Sequence, residues 1–278
     1  MSVSAAAIAA PGQRWPDGFF TVSDGTRLHY VEAGEGAPVI LIHGARGSAI
    51  GNWFSNGIAP AIARTNHVYA LDMRGHGLSG GRHNGHFAMA DDVIEFMDQM
   101  GIEKAHIGGY SMGGGITLQL LNKAPERFLT ACFQGAGISE IGAWKDKVPP
   151  DVQGQDPDEA RAEAVVRARR AAKGEEVGND FDARLRARAP RDHRPDAESE
   201  RRFNEALKVD LTAIDFPVMA INGEYDRPVA RTHRMARELK DFTNLVLPGK
   251  GHLTAMMAGF IPQAYIDGYA AFIARNNP

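Results

Sequence analysis

Cysteine is almost absent from this chain of 278 residues, because Cys132 is the only one. No intramolecular disulfide can form, and the position of Cys132 in the apolar run 128–133 predicts a buried structural thiol rather than a nucleophile. A cytoplasmic location is expected from this cysteine usage.

An excess of positive charge is also missing. The chain has 31 Lys and Arg against 34 Asp and Glu, a formal net charge of -3. Nucleic-acid-binding proteins usually carry a basic surface, so neither DNA nor RNA is expected as a partner. The Ala-rich start has no basic residue ahead of it, and its apolar run is too short for export or for spanning a membrane. We therefore expect no membrane association, and we expect residues 1–15 to form a flexible tail.

Patterns typical of metal sites are sparse, although the chain has 10 histidines. His83 and His86 are the only two at a spacing that suggests metal ligands, and neither a cysteine nor a clear third ligand lies close to them in the sequence. We expect no metal and no cofactor.

Short apolar runs alternate with amphipathic, helix-like spans along most of the chain. This alternation is typical of an α/β fold, a mostly parallel eight-stranded sheet flanked by helices. The first two runs are joined at Asp24 and Gly25, which predicts a hairpin. The strand-like runs are Phe19 to Val22, Leu28 to Glu32, Val39 to Ile42, His67 to Leu71, Ala105 to Gly108, Phe128 to Phe133, Val218 to Ile221 and Leu245 to Leu247.

Residues 138–207 break this rhythm, because charged helix-forming residues replace the apolar runs. Arginines and acidic residues nearly balance there, which favours solvated helix faces with salt bridges over an anion-binding surface. We interpret 138–207 as a helical cap or lid insertion into one core domain formed by 16–137 and 208–278.

Ser111 carries the strongest functional signal. It lies in the segment Gly-Tyr-Ser-Met-Gly at 109–113, between a strand-like run and a helix-like span. Glycines on both sides permit the sharp turn that presents a nucleophilic hydroxyl at a sheet edge. The free N–H groups at the start of the helix would stabilise a nearby oxyanion. The sequence therefore predicts an enzyme with Ser111 as its nucleophile.

A serine nucleophile needs a general base and a carboxylate that orients the base, and both are expected on loops after later strands. His252 follows the last strand-like run and precedes the terminal helix, so it is the predicted base. Asp226 follows the run that ends at Ile221 and is the predicted carboxylate. Glu140 and Glu224 remain alternatives for the carboxylate.

The order Ser111, Asp226, His252, with each residue after a strand, resembles that of the α/β-hydrolase fold family. Two further segments are similar to motifs of the family. Leu-Ile-His-Gly-Ala at 41–45 resembles the turn after the third strand, and Asp-Met-Arg-Gly-His-Gly-Leu-Ser at 72–79 resembles the loop after the fourth strand.

The resemblance implies an oxyanion hole made by the backbone N–H groups of Ala45 and Met112. It also implies that Asp72 and His76 shape a turn rather than take part in chemistry. The insertion at 138–207 would form a lid over the active site.

Serine at the nucleophile position, where haloalkane dehalogenases and epoxide hydrolases of this fold use aspartate, implies acyl chemistry. We predict hydrolysis of a carboxylic ester or lactone of a small molecule through an acyl-enzyme. The alternative is carbon–carbon bond hydrolysis of a diketone, because segment 52–60 resembles the meta-cleavage-product hydrolases. Against it, Ala-Arg-Gly at 45–47 stands where those enzymes usually have Gly-Pro-Gly, and Leu253 stands where they commonly have tryptophan. A third hypothesis is a ligand sensor that keeps the hydrolase pocket.

Substrate-binding residues are expected from the insertion and from loops at the strand ends, and a homodimer is possible for this fold. Arg46 could reach over the pocket mouth towards a substrate carboxylate. The other candidates are large apolar or aromatic residues, namely Trp53, Phe54, Tyr110, Trp144, Met256 and Met257.

Overall fold

Eight strands form one continuous sheet in the computed structural model, which describes residues 14–83, 85–171 and 197–278. Their order across the sheet is β1-β2-β4-β3-β5-β6-β7-β8. Strands β3 to β8 run parallel, whereas β2 is antiparallel to both β1 and β4. The strands are β1 (Asp17–Thr21), β2 (Arg27–Ala33), β3 (Ala37–Ile42), β4 (Asn66–Asp72), β5 (Ala105–Tyr110), β6 (Phe128–Gln134), β7 (Val218–Gly223) and β8 (Phe242–Leu247).

Helices flank the sheet, and the predicted α/β fold with eight strands is confirmed. In the described ranges, no helix combines the length and the apolar character that crossing a bilayer requires. The described α-helices are α1 (Ile58–Ile62), α2 (His86–Gln99), α3 (Met112–Lys123), α4 (Glu159–Ala171), α5 (Ala197–Ala206), α6 (Pro228–Glu238) and α7 (Gln263–Arg275).

The predicted hairpin is confirmed at β1 and β2. Asp24 accepts a hydrogen bond from the Thr26 N–H, 2.8 Å between Oδ1 and N, and so fixes the turn. Gly25 has φ +80°, a backbone conformation that glycine adopts without a steric cost.

Side chains of the central strands divide into two apolar cores, one on each face of the sheet. In β3, Ile40 and Ile42 enter one core while Val39 and Leu41 enter the other, and all four are fully buried. This alternation is the two-residue period of a strand covered on both faces. Helices α2 and α3 cover the first core, and α1 and α7 cover the second.

The described parts of the predicted insertion contain three helical segments, together with a stretch at 148–156 that has no regular secondary structure. A 3₁₀ turn spans Gly142–Lys147, and α4 and α5 follow, with α5 packed against α2 and α3. In α5, Glu198 pairs with Arg201 and Arg202, which are the exposed ion pairs that the charge pattern predicts. Residues 172–196 of the insertion lie outside the described residues, and its role as a lid stays a prediction.

The predicted tail lies mostly outside the described residues, which begin at Arg14. The ring of Trp15 packs against that of Phe54, with 4.9 Å between their centroids. The tail therefore remains a prediction for residues 1–13, whereas Trp15 contacts the core.

Cys132 is fully buried in β6, as predicted. Burial raises the pKa of its thiol well above the ordinary value, so the thiolate that reacts as a nucleophile is disfavoured.

Candidate active site

Three loops at one edge of the sheet carry the predicted nucleophile, carboxylate and base. Ser111 directly follows β5, Asp226 follows β7 and His252 follows β8. These strands are parallel and lie in the order β5-β6-β7-β8, so their carboxyl ends share an edge. In open α/β sheets this edge is where ligands bind.

The side chains of the three residues form one hydrogen-bonded chain. The distance from Ser111 Oγ to His252 Nε2 is 3.0 Å, and that from His252 Nδ1 to Asp226 Oδ2 is 2.7 Å. Because a carboxylate can only accept, Nδ1 donates to Asp226. The remaining nitrogen, Nε2, is then free to accept the Ser111 proton in the neutral ring. The sequence prediction that these residues lie together agrees with this geometry.

Ser111 occupies a strained backbone conformation between β5 and α3. Its φ of 52° and ψ of -107° lie outside the regions that residues with a side chain normally adopt. The Ser111 N–H donates to the Gln134 carbonyl oxygen across 2.8 Å, and the Ser111 carbonyl oxygen accepts from the Gly114 N–H across 2.9 Å. Such strain costs on the order of 1–3 kcal/mol and persists where the surroundings enforce it.

Two glycines make this sharp turn sterically possible. A Cβ atom on Gly109 would lie 2.1 Å from the carbonyl oxygen of Gly113. A Cβ atom on Gly113 would lie 2.2 Å from the carbonyl oxygen of Ile42 in β3. Both contacts involve backbone atoms that cannot move aside, so the glycines on either side of Ser111 are required by close packing.

Arg231 is a second partner of Asp226. Its NH1 donates to the same Oδ2 atom that accepts from His252, across 2.6 Å. Arg231 lies on α6, which begins two residues after Asp226. The bond from the arginine fixes the orientation of the carboxylate, so Asp226 is well placed to stabilise an imidazolium on His252.

Tyr110 holds the backbone of His252 in place. The Tyr110 hydroxyl donates to the His252 carbonyl oxygen across 2.7 Å, and the two rings stack with 5.1 Å between centroids. Burial raises the pKa of Tyr110, with a further contribution from the charge of Asp226, so the hydroxyl remains a donor. Tyr110 thus helps to position His252, a role that was not predicted from the sequence, where Tyr110 was a candidate pocket residue.

The two alternative carboxylates have other partners. Glu140 accepts from His233 Nδ1 and from Arg237 NH2, each across 2.7 Å. Glu224 accepts from the Gly249 N–H across 2.7 Å. Of the three candidates, Asp226 is the one bonded to His252, and the alternatives Glu140 and Glu224 are wrong for this geometry.

The predicted oxyanion loop lies beside the nucleophile. A Cβ atom on Gly44 would lie 3.4 Å from the Cβ of Ser111. The Gly44 carbonyl oxygen accepts from His43 Nδ1 across 2.7 Å and from the Gly47 N–H across 3.0 Å. Because the carbonyl and the N–H of a trans peptide point in opposite directions, these bonds fix the direction of the Ala45 N–H. Met112 is the first residue of α3. N–H groups in the first turn of a helix have no hydrogen-bond partner within the helix, so the Met112 N–H is available to an oxyanion.

His43 is a neutral residue that supports this loop. Its Nδ1 donates to Gly44, and its Nε2 accepts from the Met73 N–H across 3.0 Å, which fixes the tautomer. Complete burial lowers the pKa of His43 and keeps the ring uncharged.

Asp72 organises the turns around His43, as the resemblance implies. Its carboxylate accepts from the N–H groups of Ala49 and Leu78 and from His29 Nδ1, at 2.7 to 2.9 Å. Burial raises the pKa of Asp72, but the hydrogen bonds from His29 and from the Ala49 N–H outweigh it and lower the pKa overall. The residue is therefore a charged structural anchor.

Six of the seven predicted substrate-binding residues divide into three groups by their burial. Trp53 and Phe54 are buried in the same apolar core as Tyr110 and Met256. Arg46 is exposed and has a left-handed backbone with φ 61°. Met257 is partly buried.

Trp144 was predicted to line the pocket, and the structure places it elsewhere. It is 41% exposed and lies under the guanidinium of Arg237, 4.0 Å from its ring centroid. Arg237 belongs to the ion pairs around Glu140, so Trp144 covers that cluster instead of the nucleophile.

In the described ranges, no three His, Cys, Asp or Glu side chains are arranged to hold a metal ion. The rings of His83 and His86 lie 6.1 Å apart, edge to face.

Comparison with known proteins assigns the chain to a family. The model of the α/β hydrolase fold family matches residues 37–256, so this chain belongs to the α/β hydrolase fold family.

Curated relatives match over shorter segments. The dihydrolipoyllysine-residue acetyltransferase component of the acetoin cleaving system of Cupriavidus necator is 46% identical over 126 residues, 44% of this chain and 32% of that protein. The 2-hydroxymuconate semialdehyde hydrolase of Pseudomonas sp. is 32% identical over 123 residues, 42% of this chain and 43% of that protein. The matches thus span less than half of either relative's length.

A solved structure resembles nearly the whole chain. The 2-hydroxy-6-oxo-6-phenylhexa-2,4-dienoate hydrolase of Rhodococcus sp. has a TM-score of 0.64 and 22% identity, covering 95% of this chain and 98% of that one. At this identity the likeness shows the fold alone.

Sequence reasoning missed the residues that hold the three side chains in place. Arg231 follows Asp226 by five positions, and this spacing gives no recognisable signal. Two insertion residues also contribute. Asp151 bonds to the helix after Asp226 and Asp156 bonds to the loop of His252, although both lie many residues away from these partners in the sequence. Such contacts between distant parts of the chain have no local sequence pattern.

Proposed function

We propose that this protein is a serine hydrolase that cleaves a carboxylic ester or lactone of a small molecule. The observation that carries the proposal is the bonded chain from Ser111 Oγ through His252 to Asp226, with distances of 3.0 and 2.7 Å. An alcohol becomes a useful nucleophile when a base can remove its proton in the step that forms the new bond. His252 is within the reach that such a transfer needs.

In the proposed reaction, His252 Nε2 takes the Ser111 proton while the oxygen attacks the substrate carbonyl carbon. The electron pair of the carbonyl moves to its oxygen, and the N–H groups of Ala45 and Met112 would bind that oxyanion. The tetrahedral species then expels the alcohol, which receives the proton from His252. Water, deprotonated by the same imidazole, releases the acid and restores Ser111.

Asp226 and Arg231 contribute through charge and orientation. Asp226 keeps His252 in the tautomer that leaves Nε2 free, and it stabilises the imidazolium formed in the attack. Arg231 holds the carboxylate from the other side, across 2.6 Å. His43 contributes by fixing the peptide that carries the Ala45 N–H.

The second candidate function is carbon–carbon bond hydrolysis of a diketone. It is favoured by the similarity to 2-hydroxymuconate semialdehyde hydrolase and by the segment that begins at Asn52. Asn52 Oδ1 accepts from the Gly44 N–H across 3.1 Å and so supports the oxyanion loop. Ala-Arg-Gly at 45–47 and Leu253 depart from the pattern of those enzymes, and we therefore rank ester or lactone hydrolysis first.

A substrate panel separates these functions. We would assay p-nitrophenyl esters, lactones and vinylogous diketones with the wild type, with Ser111→Ala and with Ser23→Ala. Ser23 is an exposed serine bonded to Glu95, and its variant controls for the loss of a hydroxyl. Ester or lactone turnover that Ser111→Ala abolishes and Ser23→Ala preserves supports the first proposal.

Other outcomes of the panel point elsewhere. Turnover confined to diketones supports the second function. No turnover, combined with a ligand-dependent rise in Tm, supports a sensor. Ester turnover that is unchanged in Ser111→Ala contradicts the assignment of the nucleophile.

A further inference from the structure

Asp156, in the first part of the predicted cap, is bonded to the loop that carries His252. Its Oδ2 accepts from the Gly251 N–H across 2.8 Å and also accepts from the Thr254 hydroxyl. Its Oδ1 accepts from the Asp158 N–H across 2.8 Å. Asp156 is 7% exposed and Thr254 is fully buried, so water competes little for these bonds.

The two partners of Asp156 lie on either side of the base in the sequence, because Gly251 precedes His252 and Thr254 follows it by two residues. The Gly251 N–H also lies 3.0 Å from Thr254 Oγ1, which ties the two partners to each other. On the core side, the Tyr110 hydroxyl holds the His252 carbonyl oxygen. The backbone of His252 is therefore fixed from the core by Tyr110 and from the predicted cap by Asp156.

The cap segment and the base loop are also in close steric contact. A Cβ atom on Gly251 would lie 2.7 Å from Glu159 Oε2 and 3.1 Å from Asp156 Oδ2. Lys250 lies 3.6 Å from Asp158, and Arg161 lies over the ring of Phe260 at 4.8 Å from its centroid. Because side chains of the cap segment pack directly against Gly251, a shift of this segment would be transmitted to the base loop.

A second aspartate of the same segment bonds to the start of the helix that follows the predicted acid. Asp151 Oδ1 accepts from the Val229 N–H across 2.6 Å, and Oδ2 accepts from the Ala230 N–H across 3.2 Å. These N–H groups lie in the first turn of α6, directly after Asp226 and Arg227. An aspartate there bonds to the free N–H groups of the first helical turn, and its negative charge interacts favourably with the positive end of the helix dipole. Segment 151–159 thus bonds both to the loop of His252 and to the helix that follows Asp226.

We propose that Asp156 is a positioning residue that sets the orientation of His252, so that the competence of the base depends on the attachment of the cap segment. This inference rests on the proposed function, because it assigns His252 the role of general base. Asp156 does not touch the reacting atoms. It acts through the Gly251 N–H and the Thr254 hydroxyl.

The charge of Asp156 also bears on the base. Burial raises the pKa of Asp156, but the hydrogen bonds from Thr254, Asp158 and Gly251 outweigh it and keep the group ionised. Asp156→Asn removes this negative charge from beside the base loop, so we expect the acid limb of the kcat/KM profile to move to lower pH. The other titratable or charged groups that face the base or its loop are Asp226, Arg231, Tyr110, Glu159, Asp158 and Lys250.

The experiment compares Asp156→Asn with Asp210→Asn. Asp210 accepts from the Thr212 N–H and hydroxyl, so it bonds to the same kinds of group at an exposed site away from the base. For Asp156→Asn we expect kcat to fall about 10- to 100-fold, with KM changed little, as for a small misplacement of a reacting group. The acid limb should move to lower pH, because a negative charge beside the base loop is removed. Asp210→Asn should match the wild type.

Thr254 supplies a second pair of variants in case Asp156→Asn does not fold. Thr254→Val removes the hydroxyl that donates to Asp156, and Thr254→Ser retains it. We expect a loss of kcat in Thr254→Val and its recovery in Thr254→Ser. A purely structural role would lower Tm and the active fraction but would leave the pH profile of the folded enzyme unchanged.

NMR of the histidine rings separates this inference from the proposed function. The Nδ1–H signal of His252, assigned by its loss in His252→Gln, reports the orientation of the ring even in a protein without turnover. We expect this signal to weaken or broaden in Asp156→Asn and to persist in Asp210→Asn. An unchanged ring signal, or an unchanged kcat and acid limb in a folded Asp156→Asn, overturns the inference. If the wild type shows no Ser111-dependent turnover but the His252 ring signal is still perturbed in Asp156→Asn, the proposed function is contradicted and the positioning role of Asp156 is not.

Discussion

Two clusters of the same composition, each with an arginine from α6, allow a sharp test of the carboxylate. Asp226 pairs with a histidine and with Arg231, and Glu140 pairs with His233 and Arg237. Both carboxylates are buried, with side-chain exposures of 7% and 2%, and both histidines are partly exposed. The difference is that the histidine bonded to Asp226 also reaches Ser111. Asp226→Asn and Glu140→Gln therefore remove the same kind of interaction with different consequences for chemistry.

The expected magnitudes follow from these contacts. An amide at 226 carries no charge to stabilise the imidazolium, and its NH2 group donates where the second carboxylate oxygen could accept. We expect kcat/KM to fall about 10³- to 10⁴-fold, which corresponds to about 4 to 5.5 kcal/mol of lost transition-state stabilisation. In stability, each variant should lose about 1.5 to 3 kcal/mol, because each weakens hydrogen bonds to a buried charge. Glu140→Gln should leave kcat/KM unchanged.

The assay measures kcat/KM on the best p-nitrophenyl ester and the Tm of each variant. Similar losses of Tm, with activity lost only in Asp226→Asn, would support the account. Comparable activity in the two variants, or a larger loss in Glu140→Gln, would refute the assignment of Asp226.

Three further predictions concern the residues around the site. Replacing His43 by Gln should lower kcat by up to about 10²-fold with little change in KM. The reason is that the Gly44 carbonyl oxygen loses the donor that orients the Ala45 N–H. Steady-state kinetics on the folded variant would measure this loss. Gly113→Ala should lower Tm sharply, since its Cβ would lie 2.2 Å from the Ile42 carbonyl oxygen, and a wild-type Tm would contradict the packing argument. Burial lowers the pKa of His106 to about 4 in the folded protein. As the pH falls below about 6.5, His106 is therefore protonated in the unfolded chain before it is protonated in the folded one, which favours unfolding. Stability should decline between about pH 6.5 and 4, with His106 contributing about 2 kcal/mol by pH 5, and urea unfolding of His106→Gln should show a correspondingly smaller decline.

The strands and the nucleophile could be predicted from the sequence because their signals are local. The apolar run of β3 is buried on both faces, and a run of this kind can only be a covered strand or a buried helix. Ser111 is marked by glycines that the packing against β3 and α3 requires. The order of strands then places His252 at the same edge.

The choice of carboxylate and the supporting contacts needed the structure. Asp226 and Glu140 both follow strands, and both have a histidine and an arginine within reach, so only the positions of the loops in space distinguish them. Trp144 was misassigned because an aromatic residue in an insertion gives no sign of whether it faces a pocket or, as here, an arginine. Asp156 bonds to residues about a hundred positions away, and no local pattern reports such a pairing.

The central claim is that Ser111 forms a covalent acyl bond because His252 activates it. The most direct measurement is mass spectrometry of the protein after reaction with a slowly released p-nitrophenyl ester, followed by peptide mapping of the adduct. The account predicts one acyl group per chain on Ser111, absent in Ser111→Ala and formed far more slowly in His252→Gln. An adduct on another residue, or equal labelling of Ser111→Ala, would contradict it.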